Sequence, residues 1–137
     1  MAGRETVRQL KRNVAPRPGR PARGSATGRP LMAALDLAGR RWALRIVWEL
    51  RHGPLTFRVL QERCDQASPS VLNRRLGELR EARILLPAAV GQDGYSLTPL
   101  GQDLLLALAP LEMWARHWAA TTDASGEGSR GCLLPEK

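Results

Sequence analysis

Residues 56–82, TFRVLQERCDQASPSVLNRRLGELREA, constrain the fold more than any other stretch. Two helical patterns lie here, with only Asp65, Gln66 and Ala67 between them. The first, TFRVLQERC, opens on Thr56 as a cap and carries Phe57, Val59 and Leu60 as its apolar positions. The second opens on Ser68, whose hydroxyl can accept from an unpaired amide of the first turn. Pro69 follows at the first helical position, where a missing amide proton costs least. Leu72, Leu76 and Leu79 then form one apolar stripe, and the pattern runs to about Ala82. Two helices joined this tightly share one core, which is the helix-turn-helix arrangement.

The flanking sequence extends this unit. Upstream, LMAALDLAGRRWALRIVWELRHG has apolar residues at Leu44, Val47, Trp48 and Leu50, with Leu35 and Leu37 before them. It reads as a helix of about ten residues ending before Gly53-Pro54, preceded by a shorter turn or helix, with Gly39 between. Downstream, Ile84–Pro87 and Tyr95–Thr98 read as two short strands around a Gly91-Gln92-Asp93-Gly94 turn. Thr98 caps and Pro99 starts a last helix of about 22 residues, which Pro110 should kink or divide. The expected fold class is mainly α with a small β-hairpin. It is a winged helix-turn-helix with additional N- and C-terminal dimerisation helices, spanning residues 31–120. Residues 1–30 read as a disordered basic arm, because Pro and Gly interrupt helix and little there offsets the entropy of ordering. Residues 121–137 read as a flexible tail.

Charge narrows the partner. The 137-residue chain has 21 Lys and Arg against 13 acids, a net charge of +8, which favours an anionic partner. Residues 1–30 alone hold eight bases and one acid. The excess is therefore mostly a property of the arm, and any claim about the folded part must rest on placement. Cys64 and Cys132 match no metal-ligand spacing, so no metal or cofactor is expected, and a reduced, cytoplasmic setting fits. No apolar run is long enough to span a membrane, and no membrane partner is expected. His52 and His117 are the only histidines. Neither is spaced for a nucleophile–base pair, Glu49 near His52 reads as ordinary helix surface, and no enzymatic activity is expected.

On the second helix of the pair, Ser70, Asn73, Arg74 and Gly77 lie away from the leucine stripe, and Arg75 and Arg80 flank it. Hydroxyl, amide and guanidinium groups are thus presented near the N-terminal half, the half with which a recognition helix meets base edges. Asn can pair with adenine and Arg with guanine at two points each, and both can also hold phosphates. Ser68 lies at the helix start, where a phosphate is favoured. Arg58 and Gln61, on the preceding helix, are candidate backbone contacts. The plainer reading of all these residues is a solvated polar face.

LAGRRWALRIVWELRHGPLTFRVLQERCDQASPSVLNRRLGELREARIL, followed by GYSLTPLGQDLLLALAPLEMWARHWA, resembles the HxlR-type winged-helix transcriptional regulators, relatives of the MarR-like group. The resemblance covers about residues 31–120 and rests on Gly39–Trp42, Gly53–Phe57, Ser68–Leu72, Arg75-Leu76, Glu78-Leu79 and Tyr95–Gly101. It implies a homodimer on a pseudo-palindromic double-stranded DNA operator. It places Ser68, Ser70, Asn73, Arg74 and Arg75 in the recognition segment, while the helical wheel favours Ser70, Asn73 and Arg74 over Arg75. Some members carry a reactive cysteine before the Gly-Arg-Trp segment, and this chain has none there, so thiol sensing is not expected. Family wings usually carry basic or aromatic groups, whereas PAAVGQDGY is weakly charged, which leaves Gln92 or main-chain amides for any wing contact.

The four tryptophans fall in the first and last helices. Trp114 and Trp118 share a face with Leu111. With Trp42 they are the expected dimer interface, as large aromatics gather in buried interfaces; an internal core is the alternative. An unidentified small-molecule effector, seated between these helices and the reading head, is a further partner reading. The competing functional reading is a protein-interaction or dimerisation module on the same scaffold, without specific DNA binding.

Overall fold

The structure, a computed structural model, describes residues 15–22, 28–86 and 94–130, with side chains through residue 124. Five α-helices follow in order: α1 (Pro30–Ala38), α2 (Ala43–Glu49), α3 (Phe57–Arg63), α4 (Pro69–Glu81) and α5 (Pro99–Arg130). A 3-10 turn, Leu50–His52, extends α2, so together they make the expected ten-residue segment. The chain forms two compact units, residues 1–102 and 103–137, and the boundary falls within α5.

The helix starts obey local chemistry. Thr56 Oγ1 accepts from the Val59 amide at 3.3 Å, and Ser68 Oγ accepts from the Val71 amide at 3.3 Å. Thr98 Oγ1 accepts from the Gly101 amide at 3.0 Å and donates to the Arg83 carbonyl at 2.5 Å. It thereby ties the start of α5 to the end of α4. Between α3 and α4, Asp65 (φ 51°) and Gln66 (φ 56°) are left-handed, which reverses the chain in few residues. The Gln66 amide returns to the Gln61 carbonyl at 3.0 Å, and the Gln61 side-chain amide donates to the Ala67 carbonyl at 3.0 Å. Gln61 thus splints the turn.

The core of the first unit gathers Ile46, Val47 and Leu50 from α2 and its extension, Leu60 from α3, Leu72, Leu76 and Leu79 from α4, and Leu85 and Leu97 beyond. Burying each leucine of the α4 stripe stabilises the fold by about 1.5–3 kcal/mol. Cys64 is also buried, and burial pushes its thiol up from the ordinary value, which disfavours the reactive thiolate. Glu49 is not ordinary helix surface. It is buried, paired to Arg45 at 2.8 Å and to Arg63 at 3.3 Å, because those two arginines cover it from α2 and α3.

Three sequence expectations meet a different local structure. Among the described residues the two hairpin segments pair through isolated antiparallel bridges rather than continuous strands. Leu85 faces Leu97 in a single antiparallel bridge, and Tyr95 bridges instead to Leu55. The Tyr95 amide and carbonyl are both spent on Leu55, at 2.7 and 3.1 Å, so the pairing is shared between two short partners. The expected turn centre, including Gln92, lies outside the described residues. Pro110 does not divide the last helix, since α5 continues through it. Proline removes one amide rung, and 32 helical residues leave many others in place. Finally, helix continues to Arg130, past the expected tail start at residue 121; Thr121 and Thr122 bond back to the His117 and Trp118 carbonyls. Of the basic arm, residues 15–22 and 28–30 are described; Ala15 and Pro16 are buried, and the Gly19 amide donates to the Gly28 carbonyl at 2.8 Å.

Candidate nucleic-acid interface

The geometry of α4 divides its residues by face. With 3.6 residues per turn, the stripe of Leu72, Leu76 and Leu79 turns inward and Ser70, Asn73, Arg74 and Gly77 turn outward. All four outward residues are exposed. Ser68 is exposed at the helix start and, besides its capping bond, lies 3.4 Å from the Ser70 hydroxyl. The polar groups expected to meet DNA therefore share one surface, at the N-terminal half of the second helix of the helix-turn-helix.

Gly77 adds shape to that surface. A methyl group built there meets no atom within 4 Å, so the glycine answers to no packing demand inside the chain. It leaves the middle of the exposed face low.

Arg75 behaves differently from its neighbour Arg74. Its guanidinium turns inward, donating from Nε to the Arg41 carbonyl at 2.8 Å and from Nη1 to Glu78 Oε1 and Oε2 at 3.0 and 3.1 Å. Arg80 also turns aside, its guanidinium 4.6 Å from the centre of the Tyr95 ring. Arg58 stays exposed on α3, in a loose 3.4 Å pair with Glu62 one helical turn on. Such a pair contributes little to stability and leaves the cation available.

The sequence reading missed Glu78 and Arg40 as a bonded pair, at 2.8 Å across 38 residues. Their membership of two short motifs was the only signal, and it carried no indication of contact.

The aromatic residues split. Trp42 is half-buried in a left-handed conformation at the start of α2 (φ 72°), with the Arg41 guanidinium 5.2 Å from its ring. Trp48 is half-buried under the Arg51 guanidinium at 4.4 Å. Trp114 and Trp118 stack at 5.4 Å and remain 55% and 58% exposed, with Leu111 exposed beside them in sequence. They are not internal core. His117 is exposed. No group of three or more metal-ligating side chains occurs among the described residues. No described helix is long and apolar enough to cross a membrane.

Comparison with known proteins agrees with this geometry. The family model described as HxlR-like helix-turn-helix matches residues 37–123. The chain is 32% identical over 89 residues to YvaP of Bacillus subtilis, described as an uncharacterized HTH-type transcriptional regulator, covering 62% of this chain and 82% of that protein. It is 30% identical over 95 residues to the HTH-type transcriptional regulator YodB of the same organism, covering 66% and 85%. Among solved structures, quinone-bound YodB superposes with a TM-score of 0.58 at 29% identity, covering 64% of this chain and 96% of that one. The reduced form of YodB gives 0.57 at 30% identity, covering 63% and 89%. The matched family and relatives are transcriptional regulators rather than enzymes. This chain belongs to the HxlR family of helix-turn-helix transcriptional regulators.

Proposed function

We propose that the protein is a cytoplasmic, sequence-specific DNA-binding regulator that acts as a homodimer on a pseudo-palindromic operator. The observation that carries this reading is the outward face of α4. A hydroxyl, an amide and a guanidinium, on Ser70, Asn73 and Arg74, stand exposed together, and a buried leucine stripe holds the helix behind them. Asn73 and Arg74 read base edges in the major groove, Ser68 and Ser70 hold the adjacent phosphates, and Arg58 reaches the backbone from α3. The Tyr95–Thr98 segment and its partners form the root of the wing.

The second copy docks on the exposed aromatic face of α5. Trp114, Trp118 and Leu111 lie uncovered along one helix face, the composition of an interface core. Two reading helices then sit one helical turn of DNA apart, about 34–36 Å. A quinone-bound relative supports a small-molecule effector of that class. With Cys64 buried and its thiol pushed up, such an effector binds here without attack by that residue.

The test is DNA selection from a random-sequence duplex library by the wild-type chain, followed by anisotropy titration of the enriched duplex. Arg74→Glu is expected to weaken binding at least about tenfold, since a lost base contact costs roughly 1–3 kcal/mol. A folded dimer that enriches no sequence contradicts the reading and favours an interaction module instead.

A further inference from the structure

Arg75 lies in the segment assigned to DNA, yet its guanidinium is spent inside the protein. Glu78 accepts from Arg75 through both carboxylate oxygens and from Arg40 Nη1 at 2.8 Å. Its side chain is 5% exposed, against 16% for Arg75 and 10% for Arg40. Asp36 of α1 approaches Arg40 at 3.9 Å. Two acids and two bases thus balance in a nearly closed cluster. Such a cluster adds nothing to the net positive field that DNA meets.

Its geometry joins three segments. Asp36 belongs to α1, Arg40 and Arg41 to the turn between α1 and α2, and Arg75 and Glu78 to α4, within five residues of Asn73 and Arg74. The Arg41 carbonyl that receives Arg75 Nε precedes Trp42, which is held in a left-handed conformation that side-chain-bearing residues adopt only under constraint. The leucine stripe cannot do the same job. Apolar burial is non-directional and tolerates rotation or sliding of a helix on its bed. Two bonds cross from α4 to the Arg40-Arg41 turn, Arg75 Nε to the Arg41 carbonyl and Arg40 Nη1 to Glu78, each at 2.8 Å. They are directional and charge-assisted, and together they resist both, while the Arg75–Glu78 contact within α4 holds the two side chains in place. Reading base edges demands placement within about 0.5 Å.

We propose that Arg75 and Glu78, anchored by Arg40, are positioning residues that set the rotation of α4 and so aim Asn73 and Arg74, and that Arg75 itself touches no DNA. This rests on the DNA-reading assignment of α4.

The experiment compares wild type, Arg75→Lys, Arg75→Gln and Glu78→Gln on two fluorescent duplexes, across a salt series. One duplex is that enriched by the wild-type chain from random DNA, and the other is a scrambled duplex of equal length. Circular dichroism sets the folded fraction of each variant. Lysine keeps the charge that a phosphate contact needs, but it has neither the Nε donor nor the fork. The expected result is that Arg75→Lys and Glu78→Gln lose about tenfold or more on the enriched duplex, the scale of one misplaced base contact. For Arg75→Lys, which keeps the charge, binding to the scrambled duplex and the salt slope stay as in wild type. Glu78→Gln leaves one positive charge uncompensated, so its scrambled-duplex binding is equal to wild type or stronger. Should Arg75→Lys fail to fold, Arg40→Lys, which loosens the cluster from its other end, carries the comparison. The proposal is overturned if Arg75→Lys matches wild type on both duplexes. It is also overturned if a folded Arg75→Gln lowers both affinities equally and reduces the salt slope by about 0.9, the mark of one lost phosphate contact. A wild-type chain with no preference between duplexes overturns the DNA-reading assignment first, and this one with it.

Discussion

The two compact units use their apolar residues in opposite ways. Residues up to 102 bury Ile46, Val47, Leu50, Leu60, Leu72, Leu76 and Leu79 almost completely and present a polar outer face on α4. From residue 103 onward, a single helix leaves Leu106, Leu111, Met113, Trp114 and Trp118 exposed. The first unit satisfies itself, and what remains on its surface is directional chemistry. The second leaves large apolar side chains uncovered, and in the proposed homodimer these are the residues that meet the partner. The contrast suits a regulator in which one part reads and another part pairs.

That contrast can be broken in four places. Leu72→Ala should cost about 2–5 kcal/mol in urea unfolding, because the site lies at the centre of a closed core and cannot collapse freely. A loss below about 1 kcal/mol would mean the stripe is not the bed of α4. Gly101→Ala should cost about 1–3 kcal/mol, the scale of overpacking. A methyl group there meets the Ile84 carbonyl oxygen and the Leu97 side chain, where α5 leaves the first unit. Thermal unfolding reads this directly, and an unchanged midpoint would show that the junction is loose. Gly77→Ala should move the other way, stabilising by about 0.5–1 kcal/mol, since alanine is the better helix former and nothing lies in its path. A destabilised Gly77→Ala would reveal a neighbour on the outer face that the free chain is not supposed to have.

Trp114→Ala and Trp118→Ala should have the smallest direct effect, each within about 0.5 kcal/mol on the dilute chain, as for other exposed sites. Their effect belongs to association. Sedimentation of the double variant should give the mass of one chain where wild type gives two. Equal masses for both proteins would remove the aromatic face from the account.

Legibility in the sequence followed the range of the interaction. Thr56, Ser68 and Thr98 were readable as caps because the bonded amide lies three residues away. The α4 stripe was readable because helical periodicity is local. Glu78 with Arg40 was not, because no periodicity connects residues 38 apart. For the same reason Glu49 passed as surface, although Arg63 of another helix covers it. A helical wheel put Arg75 beside the stripe and could not say which way its long side chain would turn. For Pro110 the local rule allowed a kink or a break, and the helix on both sides of it carries α5 through without a break.

The proposed function turns on base-edge reading by the outer face of α4. The most direct measurement is the DNA sequence motif enriched from a random library by wild type, Asn73→Ala and Arg74→Ala in parallel. If each side chain reads one or two base pairs, each variant relaxes the motif at one or two adjacent positions in each half-site and keeps the remainder. Motifs identical to wild type at every position would contradict the claim.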